Sequence, residues 1–258
     1  MKTIAVANHK GGVGKTTTVA NVAPILAEMG RRVLLVDMDP QGGLTQTLGV
    51  DAPEGHTMTA VMGTTSPGRA KLREIIQPVP PWEGLFIAPA DLDLAATELG
   101  LTTRLGRENV LKKALASTAG FDVCLIDCPP SLGLLTVNAL VAADAVLIPT
   151  LPQTVDLRAL VRFLETVEQV KEALNPDLAI FGILITSLDN RLRLHRDAIE
   201  AMRRAGLPLL DVSIARSIRA AEAADAQQPL LSYEPNHPLT EDYRRLAEEI
   251  DTWLRNAE

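Results

Sequence analysis

The sequence predicts an α/β fold: a largely parallel, twisted sheet flanked by helices on both faces. Three observations carry this expectation. Short apolar runs alternate with longer amphipathic segments along most of the chain, as repeated βα units do. The apolar runs lack polar alternation, as expected of strands covered on both faces. The first run leads through a glycine-rich loop directly into a helical segment.

Taken in order, "TIAVAN" (3–8) reads as the first strand. "TTTVANVAPILAEMG" follows as a helix ending at Gly30, with Pro24 predicting a kink or packing that tolerates one. "RVLLVD" (32–37) is the second strand. "LFIAPA" (85–90), "FDVCLID" (121–127), "AVLIPT" (145–150) and "LAIFGILIT" (178–186) follow as further strands. Helices are expected over 92–99, 107–118, 132–142, 155–174, 193–205 and 238–256. Between about 51 and 84 the Gly/Pro punctuation of "APEGH", "TTSPG" and "PVPPWEG" predicts an irregular excursion. No linker separates two compositions, and there is no internal repeat, so residues 1–258 are expected to form one domain.

Composition narrows the function classes. With 47% hydrophobic and 22% charged residues, the 258-residue chain can bury a sizeable core. Aromatics amount to 3%, too few for aromatic platforms on which bases stack. A net charge of −7 excludes a uniformly basic nucleic-acid binder but leaves room for a local basic patch. No run approaches the ~20 apolar residues of a membrane span. "MKTIAVANHKGG" leads into a loop motif and has no signal-peptide cleavage region. Cys124 and Cys128 lie in or beside an apolar run and read as small buried residues, which fits a reducing cytoplasm.

The loop "HKGGVGKTT" carries the chemistry. The common phosphate-binding spelling places a glycine five residues before Gly14-Lys15-Thr16, where this chain has His9 with a second lysine, Lys10, beside it. Gly11, Gly12 and Gly14, with Val13 among them, let backbone N–H groups converge on phosphate oxygens without Cβ interference. The helix that follows adds the positive end of its dipole. Lys15 is placed to neutralise β- and γ-phosphate charge, Thr16 to ligate Mg²⁺ and Thr17 to reach the α-phosphate. The dinucleotide fingerprint does not fit, because Thr17 stands where its third glycine belongs. Carboxylates stand at two strand ends, where open α/β sheets collect ligands: Asp37 and Asp39 in "VLLVDMDPQGG", and Asp127 in "VCLIDCPP".

Together these residues resemble the ParA group of P-loop ATPases, relatives of MinD and the nitrogenase iron protein. Lys10 through Thr17 match the group's K-G-G-x-G-K-[ST]-[ST] loop without exception. "DMDPQGG" looks like its D-x-D-P-Q-G switch and "DCPPSLG" like its D-x-P-P-S-L segment. The region "SIRAAEAADAQQPLLSYEPNHPLTEDYRRLAEEI" is similar to the family's closing region. The resemblance implies a P-loop NTPase fold, ATP and Mg²⁺ as ligands, and an ATP-dependent homodimer in which Lys10 contacts the partner subunit's ATP. It implies that Asp39 orients the attacking water, that Asp37 couples Mg²⁺ to the switch, and that Asp127 serves the metal's outer shell. Two departures stand out. Gly43 occupies a position where the family often has Asn. The adenine-side segment, commonly I-P-R-N, is "IARS" here, with Ala215 for the proline and Ser217 for the amide.

Three outcomes compete within such a group. For DNA segregation, residues 191–219 hold seven arginines (191, 193, 196, 203, 204, 216 and 219) against Asp197, Glu200 and Asp211, a net of +4 in an acidic chain. Arg191, Arg193, Arg196, Arg216 and Arg219 are the candidate DNA contacts; Arg191 and Arg219 fall where the family's DNA-contacting residues lie. No helix-turn-helix precedes the loop, so sequence-specific binding is not expected. For a MinD-like membrane cycle, the closing helix has an apolar stripe at Tyr243, Leu246, Ile250 and Trp253. Its polar face, however, carries Glu241, Asp242, Glu248, Glu249, Asp251 and Glu258 against three arginines, so the stripe is expected to pack on the core. For an iron–sulfur reductase, the placement of Cys124 and Cys128 does not suit a cluster at a subunit interface. The expectation is a cytoplasmic, nucleoid-associated partitioning ATPase, stimulated by a ParB-like partner and slow without it. The alternative is a MinD-like or cargo-positioning ATPase acting on a membrane or protein assembly.

Overall fold

The apolar runs become the middle of an eight-stranded sheet in the computed structural model, which describes residues 1–63 and 70–256. The expected "TTSPG" turn (64–68) and Glu258 lie outside the described residues. The chain forms β1 (Lys2–Val6), α1 (Lys15–Glu28), β2 (Val33–Asp37), α2 (Gly43–Thr47), α3 (Met58–Met62), α4 (Leu72–Ile75), β3 (Gln77–Pro78) and β4 (Leu85–Ala88). It continues with α5 (Asp93–Leu101), a 3-10 turn (Arg107–Asn109), α6 (Val110–Ala116), β5 (Val123–Asp127), α7 (Leu134–Ala142), β6 (Ala145–Thr150) and α8 (Thr154–Ala173). The last third adds β7 (Ala179–Leu188), α9 (Arg193–Arg204), β8 (Leu209–Ala215), α10 (Arg219–Asp225), α11 (Leu230–Tyr233) and α12 (Pro238–Asn256).

Strand order is β3-β4-β2-β5-β1-β6-β7-β8, and every neighbouring pair is parallel except β3 with β4. β2, β5 and β6 are buried at every residue, which is why their sequences show no polar alternation. One face is covered by α1, α2 and α10 to α12, the other by α3 to α8. The closing helix packs as its acidic polar face predicts: Tyr243, Leu246 and Ile250 are buried against α1 and β8, and Trp253 meets Phe181 edge-on at 5.9 Å. Among the described residues no helix is long and apolar enough to cross a membrane.

The structure corrects several expectations. At Pro24 no expectation is overturned: the residue is buried within α1, which continues to Glu28 although the Ala20 carbonyl loses its i+4 donor. The 107–118 helix divides into a 3-10 turn and a shorter α6, the join held by Asn138, whose Oδ1 accepts from Val110 and Leu111 N–H. The excursion at 51–84 contains α3 and α4. β8 is an additional edge strand, absent from the expected set.

Candidate functional site

β1 lies between β5 and β6, and the chain leaves these strands towards opposite sides of the sheet, which opens a crevice at their carboxyl ends. Register places Val6 beside Asp127 and Asp127 beside Asp37, so the glycine-rich loop and two carboxylates converge there. Asn8, a site residue the motif reading did not single out, ties the loop down. Its side-chain N–H donates to Pro149 O at 2.8 Å and its Oδ1 accepts from Lys10 N at 3.1 Å. Gly12 (φ 72°) and Gly14 (φ 87°) adopt the left-handed backbone that a β-carbon would oppose, which lets the loop curl before α1.

Lys15 is buried (6% exposed), and its ammonium donates to Lys10 O at 3.1 Å. Burial lowers its pKa, an effect opposed chiefly by the nearby Asp127 charge. The Thr16 hydroxyl donates to Asp127 Oδ2 at 2.7 Å, whereas Asp127 Oδ1 is buried with no hydrogen-bond partner. Burial, then the charge of Asp37, pushes Asp127 well above the usual carboxylate range. A buried, half-satisfied carboxylate beside a hydroxyl is costly unless a cation or its water completes the pair. These two residues therefore fit Mg²⁺. Among the described residues no group of three or more His, Cys, Asp or Glu could hold a metal alone, so phosphate and water would supply most of its ligands.

Asp37 is fully buried and already engaged. Its Oδ1 accepts from Asp39 N at 3.1 Å, and its Oδ2 accepts from Thr45 N at 3.0 Å and the Thr45 hydroxyl at 2.7 Å. It organises the turn from β2 into α2. Burial raises it to about 6 in spite of these bonds. A carboxyl raised above its unfolded value favours folding below the unfolded pKa, and that contribution is lost as pH rises through about 6. In nucleotide-free protein, thermal unfolding from pH 4 to 7 should show the parent losing stability relative to Asp37→Asn as pH rises. Parallel profiles would contradict that assignment. Asp39 is half-exposed on the same turn, its Oδ1 accepting from Gln41 N at 3.0 Å.

Beside the loop, a cleft of about 270 Å³ is lined by Gly12, Gly14 and Thr17 on one side and by Ala215, Ser217 and Tyr243 on the other. The departures from the family's adenine segment thus face one cavity with the phosphate loop. Asp242 holds that wall by accepting from Ala215 N at 3.0 Å, and Ser217 Oγ accepts from Arg219 N at 3.1 Å. Asn21 in α1 bridges the two halves, donating to Thr17 O and accepting from Leu230 N, both at 2.7 Å. Neither Asn21 nor Asp242 carries a motif of its own; only the packing of α1 against α11 and α12 exposes their roles. His9 fills the position of the missing glycine and stacks on Phe163 of α8 at 6.4 Å.

Leu188 pairs with Ala215, and Arg216 N donates to Leu188 O at 2.8 Å, so the loops bearing the candidate DNA contacts leave adjacent strand ends together. Their charge is smaller than the 191–219 count suggests. Asp189, just outside that window, pairs with Arg191 at 2.9 Å and is held at about 2 by it. Arg219 pairs with Glu222 at 2.8 Å and Glu234 at 3.3 Å, and Arg193 with Asp197 at 3.5 Å. Arg196 donates to Asn190 O at 3.1 Å, while Arg203 and Arg216 form no ion pair among the described residues. Such exposed pairs are weak because water screens them, so phosphate could displace them at little cost.

Comparison with known proteins places this geometry. A family described as an AAA domain matches residues 1–180. The sporulation initiation inhibitor protein Soj of Bacillus subtilis is 40% identical over 251 residues, spanning 96% of this chain and 98% of that one. The chromosome-partitioning ATPase Soj of Thermus thermophilus is 40% identical over 261 residues, spanning 100% and 98%. A crystal structure from Mycobacterium smegmatis, described as cobyrinic acid a,c-diamide synthase with bound ADP and magnesium, superposes with a TM-score of 0.85 at 38% identity, covering 100% of this chain and 96% of that one. Similarity of this extent, running through both the loop half and the closing half, shows that the chain belongs to the ParA/Soj family of P-loop ATPases.

Proposed function

We propose that the chain is an ATP-dependent DNA-partitioning ATPase, residues 1–258 forming one ATPase domain. ATP binding pairs two copies, the pair binds double-stranded DNA without sequence preference, and a ParB-like partner stimulates hydrolysis, all in the cytoplasm on the nucleoid. The observation that carries this reading is the contrast between two lysines on one loop. Lys15 is buried and tied to its own loop, whereas Lys10 lies half-exposed at the rim beside exposed Gly11. One cation suits the phosphates of its own subunit and the other suits those of a neighbour.

In the proposed reaction the triphosphate lies along Gly11–Thr17, with Lys15 neutralising β- and γ-phosphate charge and the base entering the cleft at Ala215 and Ser217. Thr16 and Asp127 would hold Mg²⁺, with Asp37 fixing the adjoining turn, and the ion would supply charge neutralisation at the phosphate oxygens. Asp39 orients water for in-line attack on the γ-phosphorus; the bond to the β–γ bridging oxygen breaks, giving ADP and phosphate. Lys10 of the second copy stabilises the charge that accumulates on the bridge.

An amide-forming role of the kind described for the Mycobacterium smegmatis protein gains no support from this chain's cysteines. Thiol chemistry needs an accessible thiolate. Cys124 and Cys128 are both fully buried, and burial pushes both thiols far up.

DNA binding supplies the test. With ATP and Mg²⁺ present, Arg191→Glu combined with Arg219→Glu should weaken binding to duplex DNA at least tenfold. It should also flatten the logarithmic salt dependence by about two, roughly one per lost phosphate contact. Parent-like affinity and slope would refute the patch, and binding to anionic vesicles instead of DNA would favour a membrane cycle.

A further inference from the structure

Ser187, near the carboxyl end of β7, has φ 51°, a left-handed conformation that a residue with a β-carbon adopts only at a cost. The register of β7 on β8 slips between Ile185 and Leu188, and such an irregularity re-aims the side chain it carries. Ser187 is exposed and lines the cleft beside the glycine-rich loop. Its neighbour Leu188 pairs with Ala215, so Ser187 and Ser217 stand at adjoining strand ends on one wall.

The rest of that wall offers little with which to tell one base from another. Ile214, Ala215, Ala220, Ala221, Ala224 and Leu239 are apolar and can only fit a ring. The Thr186 hydroxyl donates to Val13 O at 2.8 Å. Tyr243 is 2% exposed, and its hydroxyl is hydrogen-bonded with Thr18. Thr17 belongs to the phosphate loop. The N–H groups of Ala215, Arg216 and Arg219 are taken by Asp242, Leu188 O and Ser217 Oγ. Among the lining side chains, the hydroxyls of Ser187 and Ser217 are left to address a base edge. Ser217 Oγ accepts from Arg219 N but keeps its proton to donate and a lone pair to accept.

Adenine carries an amino donor at the ring position where guanine carries a carbonyl acceptor. At the adjacent ring nitrogen the roles reverse, adenine accepting and guanine donating. A group of fixed character satisfies one purine and is left unpaired by the other, and such sites discriminate by about 10⁴-fold or more. A hydroxyl has no fixed character, because turning about its C–O bond exchanges donor for acceptor. We infer that the cleft takes purine nucleoside triphosphates as a class, GTP as well as ATP, with Ser187 and Ser217 meeting either edge. The inference rests on the base entering this cleft, as proposed above, and adds a second substrate to the same reaction. Water attacks the γ-phosphorus, the bond to the β–γ bridging oxygen breaks, and GDP and phosphate leave in place of ADP and phosphate. A pyrimidine, smaller by one ring, covers less of the apolar wall and binds more weakly.

Calorimetric titration of the full-length protein, with Mg²⁺ and in turn ATP, GTP, CTP and inorganic tripolyphosphate, tests this. GTP should bind within about tenfold of ATP, and CTP about tenfold or more weaker than either. Ser187→Ala combined with Ser217→Ala should weaken both purine nucleotides by about tenfold without changing their ratio. Tripolyphosphate binding and the melting temperature should stay as in the parent. If the double substitution lowers the melting temperature, Ser217→Ala alone gives the same comparison, with a loss of about threefold for each purine. A preference for ATP beyond about tenfold would overturn the inference, because a fixed group would then be reading the edge. CTP binding as tightly as the purines would overturn the purine class. Equal purine affinities untouched by either serine variant would remove the two hydroxyls from recognition. If every nucleotide binds no better than tripolyphosphate, the base does not enter the cleft, and that part of the proposed function falls too.

Discussion

Lys15→Met should abolish ATP hydrolysis and weaken nucleotide binding by about 10²-fold or more, while leaving the nucleotide-free protein as stable as the parent or more so. The two halves of this expectation have one cause. Lys15 is 6% exposed, and its ammonium donates to the Lys10 carbonyl at 3.1 Å. Burial disfavours the charged form, and the nearby Asp127 charge only opposes that shift. Methionine keeps the stem's packing and removes the desolvated charge. The cost appears when the triphosphate arrives, because several negative charges then meet loop N–H groups with no buried cation. Calorimetric titration with ATP and a thermal melt of each protein check the two parts separately. A variant that unfolds tens of degrees lower would show that Lys15 is structural, and one that binds ATP normally would remove it from the site.

The same contrast between what a residue touches and what it awaits explains which features could be read from the sequence. The central strands were legible because β2, β5 and β6 are covered on both faces and spell continuous apolar runs. β8 escaped because it is an edge strand: "LLDVSIA" exposes Asp211 and half-exposes Ser213 while burying Val212 and Ile214, an alternation the continuous-run criterion passes over. The phosphate loop, Thr16 and the strand-end carboxylates were legible because backbone geometry forces their residue types. Their partners were not. Asn8, Asn21, Thr45 and Asp242 hold the site through bonds to residues up to 209 positions away, and nothing local in the sequence marks them. The arginine patch was legible in position but overstated in charge, because Asp189, Glu222 and Glu234 lie outside the counted stretch and fold back onto it.

Lys10→Ala should separate binding from turnover. ATP should still bind each monomer within about threefold of the parent, because Lys15, the loop amides and the base cleft are untouched. ATP-dependent dimerisation should fall by at least tenfold and hydrolysis to background, an effect of the size seen when a charge-stabilising group supplied in trans is lost, about 10³-fold or more. The structural ground is that two of the bonds Lys10 makes in its own loop come from its backbone. Its N–H caps Asn8 and its carbonyl accepts from Lys15, and alanine preserves both bonds. What alanine removes is the rest of the side chain at the rim, beside exposed Gly11. Two facing triphosphates repel, so a pair of copies needs a cation reaching into each opposing site. Mixing Lys10→Ala with Lys15→Met gives a sharper form of the test. In the mixed dimer only the Lys10→Ala subunit binds ATP, and that site receives an intact Lys10 from its Lys15→Met neighbour, so partial hydrolysis should return although neither variant is active alone. No recovery in the mixture, together with normal dimerisation of Lys10→Ala, would assign Lys10 to its own subunit and leave the loop a single-site device.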